Sequence, residues 1–564
     1  MFEKDISRQF SEIFLKSIRK YFQEKLPDTP FPEETDVCLQ PTKDKEHGDM
    51  TSNVAMRLAK TASLSPGVLS EGITDSLRET VSKSGFSSYI GKIEAKSGFI
   101  NFWFSDEYYE TLLMNIVKEK GDFGRSDHGR EKRVNLEFVS ANPTGPLTIA
   151  HGRQAAIGDA LSRILKFSGY LVTSEYYLND FGRQIDLLGR SVEVRYRGLF
   201  GKEEEMPEDG YMGDYVSDIA KEIRAKKGDS LLVQGPSTER FFREYAVDYM
   251  MKLIRNDLAD FRVTFDTWTS QAAIEGRGEV EKLLGELAGQ GYVYEKEGAR
   301  WFASTRFKDD KDRVVVKSDG AYTYLAPDIA YHNDKYGRGY DKLIDLLGPD
   351  HHGYVKRMKA AVQALGHDEK SLDILIVQLV TLLRGGEAVS MSTRKGEFVS
   401  LREVMDEIGT DVTRFFFMIR RLDSHLDFDI ELAKKESTDN PVFYIQYAHA
   451  RICSIKKYSR GKALRLVFRT TDLSLLKHKA EKDLIRKLGE FPLAVWLSAD
   501  ALEPSRLITY LNELARNFHS FYTECRVVSN DTALTKARLF LVECVRIVLA
   551  NGLGLLNITL PEKM

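Results

Sequence analysis

The sequence predicts an α/β protein in three parts, and three observations carry that expectation. From Val134 to Gly169, Val134, Leu136 and Phe138 alternate with Asn135 and Glu137 as a strand does. The chain then passes a Pro- and Gly-bearing loop, and Ile157, Leu161, Ile164, Leu165 and Ser168 repeat at helical spacing. Short apolar runs that end in polar loops recur at Leu343 to Leu347, before GPDHHGY, and at Leu372 to Val377. Beyond about Asn440 the glycine and strand signals fade and the pattern becomes helical. The expectation is a Rossmann-like parallel-sheet domain over 111–440, interrupted by an insertion at about 190–310. An α+β domain over 1–110 precedes it and an α-helical bundle over 441–564 follows.

Whole-chain properties bound the function. A chain of 564 residues is too long for one core, and roughly three to five domains follow from ordinary domain sizes. With 42% hydrophobic and 29% charged residues, a packed globular protein fits better than a disordered or fibrous one. No apolar run is long enough to span a bilayer, and Met1 to Lys25 interleaves charge with apolar residues, so no membrane contact and a cytoplasmic location are expected. Cys38, Cys453, Cys525 and Cys544 are scattered without CxxC spacing or matching histidines, which argues against both a disulfide framework and a zinc site. A net charge of −3 leaves any RNA contact to local patches.

In chain order, Ile6, Phe10, Ile13, Phe14, Ile18 and Phe22 share a helical face that Pro27, Pro30 and Pro32 terminate. A second helix is expected around Ser52 to Ala62, and Ile93 to Phe104 reads as strand interrupted at Gly98. The loop after Phe138 delivers His151 to the start of a helix, whose unpaired N–H groups and positive dipole end favour a phosphate. An ordinary βα unit with a surface histidine explains this stretch, taken alone, equally well. Glu203 to Asp214 holds six acidic residues and no basic one, which suits a solvated loop and argues against RNA contact there. Phe265, Asp266, Trp268 and Ser270 lie where a loop would rejoin packed structure.

Arg313 to Val316 reads as a return to the sheet, Asp319 and Gly320 as a turn, and Tyr324 to His332 as a helix or strand-helix junction. Polar loops at strand ends are where open α/β sheets bind ligands. His351 and His352 are adjacent and lack the i, i+4 spacing of a helical metal site, so no metal is expected there. After Leu372 to Val377 a helical stretch is expected to lead to Arg384, Gly385 and Gly386. VSMSTRKGEFVSL follows, in which Ser392 to Gly396 reads by itself as a solvated basic loop. Leu507, Leu511, Leu514, Phe518 and Phe521 share one helical face, as do Ala537, Phe540, Leu541, Cys544, Val545 and Val548. Between Arg451 and Lys487 twelve Lys and Arg oppose three acidic residues, either a solvated face or an RNA surface. Tyr444 and Tyr447 beside it supply rings able to stack on unpaired bases.

SANPTGPLTIAHGR followed by EYYLNDFGRQI, from Glu175 to Ile185, closely resembles the arginyl-tRNA synthetases, a class I family. Thr148, Ile149, Ala150 and His151 occupy the HIGH signature, with Thr for the first histidine and Ala for the glycine. VSMSTRKG resembles the second signature, KMSKS: Met391 and Ser392 match, Ser390 and Thr393 stand at lysine positions, and Lys395 follows two residues later. MSTRKG is a form found among arginyl enzymes. GDMTSNVAMRLAK and SGFINFWF resemble the family's N-terminal domain, which touches the outer corner of tRNA, and NPVFYIQYAHARICSI resembles the entrance of its anticodon-binding domain.

The resemblance implies an arginine–tRNA ligase that activates arginine with ATP, accompanied by Mg2+ without a dedicated protein site, and transfers it to the terminal adenosine of tRNA(Arg). It places Glu137, Asn142, Tyr324 and Asp328 on the arginine, where a forked guanidinium wants carboxylates. Gly145, Thr148, His151, Gly152, Met391 and Ser392 fall to ATP. His151, Thr148, Lys395 and Arg394 fall to charge stabilisation, and Tyr444, Tyr447 and Arg451 to tRNA. No nucleophilic side chain is required, so catalysis is positioning and charge stabilisation. A monomer is expected. Two alternatives stand beside this reading: a class I synthetase of another specificity, and a catalytically altered tRNA-binding paralogue.

Overall fold

Five parallel strands organise the middle of the chain. The computed structural model describes residues 2–32, 35, 37, 39–42, 44–389, 399–462 and 470–564. Across the sheet the strands run Leu372–Ile376, Lys342–Leu347, Arg133–Glu137, Leu171–Leu178 and Thr267–Ser270, every neighbouring pair parallel. The first strand in sequence is therefore central. The next two build to one side of it, and the chain then returns to build the other side. The order reverses between Arg133–Glu137 and Lys342–Leu347, and the crevice beyond the carboxyl ends of those two strands is where such sheets hold ligands.

The Ile149–Phe167 helix crosses from the central strand to Leu171–Leu178. It is buried nearly all round, because the sheet covers one side while helices of the C-terminal third cover another. Thr267–Ser270, where the sequence suggested only a loop rejoining packed structure, is the edge strand. Tyr176 and Trp268, paired in register, stack at 4.4 Å. Val380–Arg384, expected as helix, is instead a strand that pairs in parallel with Leu426–Asp429 and antiparallel with Glu387–Ala388. Its apolar residues recur three apart and imitate a helical face, but the partner strand lies more than forty residues away.

The N-terminal region packs the Phe2–Lys25, Val54–Ala62 and Pro66–Ser82 helices on an antiparallel four-stranded sheet, with a core of its own around Phe14, Ile18, Phe22 and Phe102. Gly98 has φ +83° and closes the hairpin between Ile90–Lys96 and Phe99–Phe104, the interruption visible in the sequence. Within the insertion, the Arg183–Gly198, Asp214–Lys227 and Pro236–Asp260 helices enclose another small core around Leu188, Tyr196, Ile219 and Phe242. The acidic loop before Asp214 is not wholly solvated: Glu204 takes ion pairs from Arg190 at 2.7 Å and Arg197 at 2.5 Å.

Five long helices make the C-terminal third: Pro441–Gly461, Lys479–Gly489, Phe491–Asp500, Pro504–Glu524 and Thr532–Leu555. Both apolar faces expected here are fully buried. Their core is continuous with that of the parallel sheet. Among the described residues no helix is long and apolar enough to cross a membrane.

Candidate active site

The loop that leaves the central strand is held in an uncommon conformation. Val139 has φ +70° and Ser140 φ +38°, and a β-branched residue reaches that region only where its surroundings force it. Here they do: the Tyr176 hydroxyl donates to the Ala141 carbonyl at 2.7 Å, the Tyr177 N–H donates to Ser140 Oγ at 3.0 Å, and Ser140 Oγ donates to Glu137 Oε1 at 2.9 Å. The loop thereby turns Glu137, Ser140 and Asn142 toward the crevice. Asn142 donates to Gln184 Oε1 at 2.7 Å, which ties the end of EYYLNDFGRQI to the loop of SANPTGPLTIAHGR.

Thr148 is the residue before the helix, and His151 lies in its first turn. The Thr148 N–H donates to His151 Nδ1 at 3.2 Å, so Nδ1 carries no proton and the ring proton sits on Nε2. Burial pushes the imidazole down to about 4, which keeps it neutral at ordinary pH. The Thr148 hydroxyl also lies 3.2 Å from Nδ1. It is a partner of His151, where the sequence had suggested a donor to phosphate. Gly152, expected beside the nucleotide, is buried: a Cβ there would come within 2.7 Å of Leu401 and 2.8 Å of Phe417, and its N–H is taken by the Thr148 carbonyl at 3.0 Å. Gly145 is half-buried in the loop, which the Tyr215 hydroxyl pins by donating to the Thr144 carbonyl at 2.7 Å.

Thr148 bridges Ser400, and the Leu401 N–H donates to the Leu147 carbonyl at 2.7 Å. The chain following the second signature thus returns to the start of the first-signature helix. Met391, Ser392, Arg394 and Lys395 lie outside the described residues. Arg153, one residue past Gly152 and fully buried, adds a second tie. It donates to the carbonyls of Gln378 at 2.8 Å, Arg421 at 2.8 Å and Ser424 at 2.9 Å, just where Val380–Arg384 begins.

Opposite the loop stands the Leu325–Gly337 helix, which carries Asp328. Its carboxylate accepts a hydrogen bond from the Tyr354 hydroxyl, and among the described residues no Lys or Arg pairs with it. Burial pushes Asp328 up to about 6, against the lowering effect of Tyr354. Tyr177 and Tyr331, stacked at 4.3 Å, form an aromatic wall nearby. Tyr324, expected with Asp328, is 83% exposed at the helix start and lies outside the enclosed part of the pocket. His351 and His352 are exposed, and among the described residues no group of three or more His, Cys, Asp or Glu side chains converges as a metal site would.

Beneath the pocket lies a network that sequence reasoning missed. Lys335 donates to Glu137 Oε2 at 2.6 Å and to Asp345 Oδ1 at 2.8 Å, and His332 joins Asp345 Oδ2 at 2.8 Å. Two signals were available: Lys335 falls two helical turns after Asp328, and Asp345 interrupts the apolar run Leu343 to Leu347.

Tyr444, Tyr447 and Arg451 come together on the Pro441–Gly461 helix, and Tyr447 and Arg451, with Lys457, Arg460, Tyr522 and Arg526, line a groove of about 1570 Å³. The Arg451 guanidinium is sandwiched between the rings of Tyr447 at 4.5 Å and Tyr522 at 4.6 Å, and Tyr444 packs on His519 at 4.6 Å. The basic run is less available than its charge suggested. Lys456, Lys482, Arg486 and Lys487 are tied to Glu543, Asp106, Asp49 and Glu490.

Three family models match the chain: "Arginyl tRNA synthetase N terminal domain" over 16–104, "tRNA synthetases class I (R), catalytic domain" over 112–417 and "DALR anticodon binding domain" over 445–564. An arginine–tRNA ligase of Desulforamulus reducens is 46% identical over 533 residues, covering 94% of each chain. One of Geobacter sp. strain M21 is 48% identical over 522 residues, covering 92% of this chain and 93% of its own. The arginyl-tRNA synthetase structure from Thermus thermophilus shares the fold with a TM-score of 0.79 at 22% identity, covering 99% of this chain and all of its own.

Proposed function

The chain belongs to the arginyl-tRNA synthetases, and on that premise we propose how its residues divide the work of an arginine–tRNA ligase. The observation that carries the proposal is Asp328, an enclosed carboxylate with a hydroxyl partner and no cationic one among the described residues. A guanidinium is always charged and offers paired donors, so it supplies what this carboxylate lacks. Glu137 and the ring wall of Tyr177 and Tyr331 flank the same space, and Asn142 takes the α-amino end.

ATP then lies across the start of the Ile149–Phe167 helix. Neutral His151 presents Nε2–H to a phosphate oxygen as a hydrogen-bond donor without charge, and Thr148 holds the ring in that orientation. Arg394 and Lys395 neutralise the negative charge that develops toward pyrophosphate. The arginine carboxylate attacks the α-phosphate, and the terminal ribose hydroxyl of the tRNA later attacks the adenylate, so no side chain serves as nucleophile. Mg2+ would arrive with the nucleotide, whose phosphates provide the hard oxygen ligands it prefers. Tyr447, Tyr522 and Arg451 form the surface we assign to unpaired tRNA bases, with Arg451 yielding its place between the rings to a base.

A charging assay with ATP and total tRNA, run with each standard amino acid in turn, tests this reading. Arginine alone should support product formation. Product with another amino acid would favour a class I synthetase of different specificity, and binding of tRNA without any product would favour a non-catalytic relative.

A further inference from the structure

The floor of the pocket is a row of three carboxylates in register on neighbouring strands: Glu175 opposite Glu137, and Glu137 opposite Asp345. All three are buried. Like charges at adjacent positions of a buried sheet repel strongly, so something must answer them. The Leu325–Gly337 helix and its end do so with Arg338, Lys335 and His332.

Arg338 pairs with Glu175 at 2.9 Å, and Glu175 takes further bonds from Tyr331 at 3.0 Å, Thr269 at 2.5 Å and Asn135. Lys335, fully buried, sits between Glu137 and Asp345 and under the Tyr331 ring at 4.4 Å. Burial disfavours its ammonium, but Asp345, Glu137 and Glu175 outweigh that and raise its pKa. His332 Nδ1 faces the Asp328 carbonyl at 2.8 Å and Nε2 faces Asp345. Asp345 is held far below the usual carboxylate range by Lys335 and His332, despite its burial. Arg338, Lys335 and His332 thus partner the three floor carboxylates, and Asp328 is the one carboxylate left over.

We propose that Lys335 is a positioning residue for amino-acid recognition: by compensating Glu137 and Asp345 it keeps Asp328 ionised at neutral pH, the carboxylate left to meet a guanidinium. The inference rests on the assignment of Asp328 to arginine made above. The groups facing Asp328 are Tyr354 from the neighbouring helix, His332 from its own, Tyr177 from the Leu171–Leu178 strand, and Glu137 and Asp345 from below; Glu137 and Asp345 both raise its pKa. Without Lys335 those two carboxylates would act on Asp328 uncompensated.

The test is the pH profile of kcat/KM for arginine in the full-length enzyme. Lys335→Met should move the acid limb upward by about one pH unit or more, the size expected when a buried like charge loses its counter-ion. At pH 7 the arginine KM should rise by about twofold for a one-unit move from about 6, and by more for a larger one, with the ATP KM unchanged. K335M/D345N, which removes one charge of each sign, should bring the limb back toward the parent's. If Lys335→Met does not fold, Asp345→Asn alone should move the limb downward. A limb that stays in place in folded Lys335→Met, or in Asp345→Asn, overturns the proposal. Asp328→Asn runs alongside: loss of arginine recognition there with no shift in the other variants sinks this inference alone, whereas an unchanged arginine requirement sinks the underlying assignment as well.

Discussion

Asp328 is enclosed enough that the free enzyme holds it at the edge of ionisation, and this gives the reaction a visible pH dependence. Its carboxyl is pushed up to about 6, so below that pH the free enzyme carries the neutral form, and the partner proposed for the guanidinium is lost as pH falls. kcat/KM for arginine should therefore decline on acidification with a midpoint near 6, while His151, already neutral above about 4, contributes nothing to that limb. Asp328→Asn should abolish the limb and cost on the order of 2 to 5 kcal/mol in arginine recognition, measured by arginine titration at saturating ATP. Thr148 makes a second prediction. Its hydroxyl lies against His151 Nδ1, so Thr148→Val should slow single-turnover aminoacylation by misorienting the imidazole, at about 1 kcal/mol, and Thr148→Ser should not. Equal rates for Val and the parent would leave the Thr148 backbone N–H as the group that orients the ring. Asp328 and Glu137 could be picked from the sequence because they stand in motif positions. Lys335 and Asp345 offered only spacing as a signal, and were passed over because a charged residue in a helix or strand reads as solvent-facing until the neighbouring element is known to cover it.

Among the elements, the Ile149–Phe167 helix carries the most constraint. Gly158 lies where it crosses the central strand, and a Cβ there would overlap the Phe138 ring. Helix propensity favours alanine over glycine by about 1 kcal/mol, whereas forcing a methyl into a packed contact costs about 1 to 3 kcal/mol. Packing should win, and Gly158→Ala should lower the thermal midpoint; a rise would mean that the ring moves aside freely. The helix and its strand were legible because each obeys its own period over several residues. Val380–Arg384 and Thr267–Ser270 were not: one has apolar residues three apart, the other is four residues long, and both are strands by virtue of partners distant in sequence. Helix burial also escaped the sequence, since an amphipathic pattern shows one covered face and this helix is covered on several.

Over the whole molecule, the three parts expected from sequence differ in how they are joined, which no composition shift revealed. The parallel sheet and the C-terminal helices share one apolar core, fastened by a buried polar knot. Arg414 donates to Asp159 Oδ2 at 2.5 Å and to the Phe261 carbonyl at 2.9 Å, and Asn557 donates to Asp159 Oδ2 at 2.9 Å and the Arg262 carbonyl at 2.8 Å. Asp159→Leu, which strands the Arg414 charge, should lower stability by about 3 to 5 kcal/mol in urea titration. The N-terminal region is different. Its core is its own, Tyr108 packs against both cores, and its ion pairs to the C-terminal helices include Asp49 with Arg486 at 2.7 Å and a largely exposed Asp106 with Lys482 at 2.8 Å. Removing residues 1–104 should therefore leave the remainder folded. Ending the chain at 440 should not, because the Phe491–Asp500, Pro504–Glu524 and Thr532–Leu555 helices all pack on the Ile149–Phe167 helix. Losing the burial of some half-dozen large side chains at about 1.5 to 3 kcal/mol each consumes the roughly 5 to 15 kcal/mol by which a domain is stable. Near-UV circular dichroism of the two truncations decides it. A sharp aromatic signal and a cooperative melt from the chain ending at 440 would show that the sheet stands alone and that the shared core contributes little.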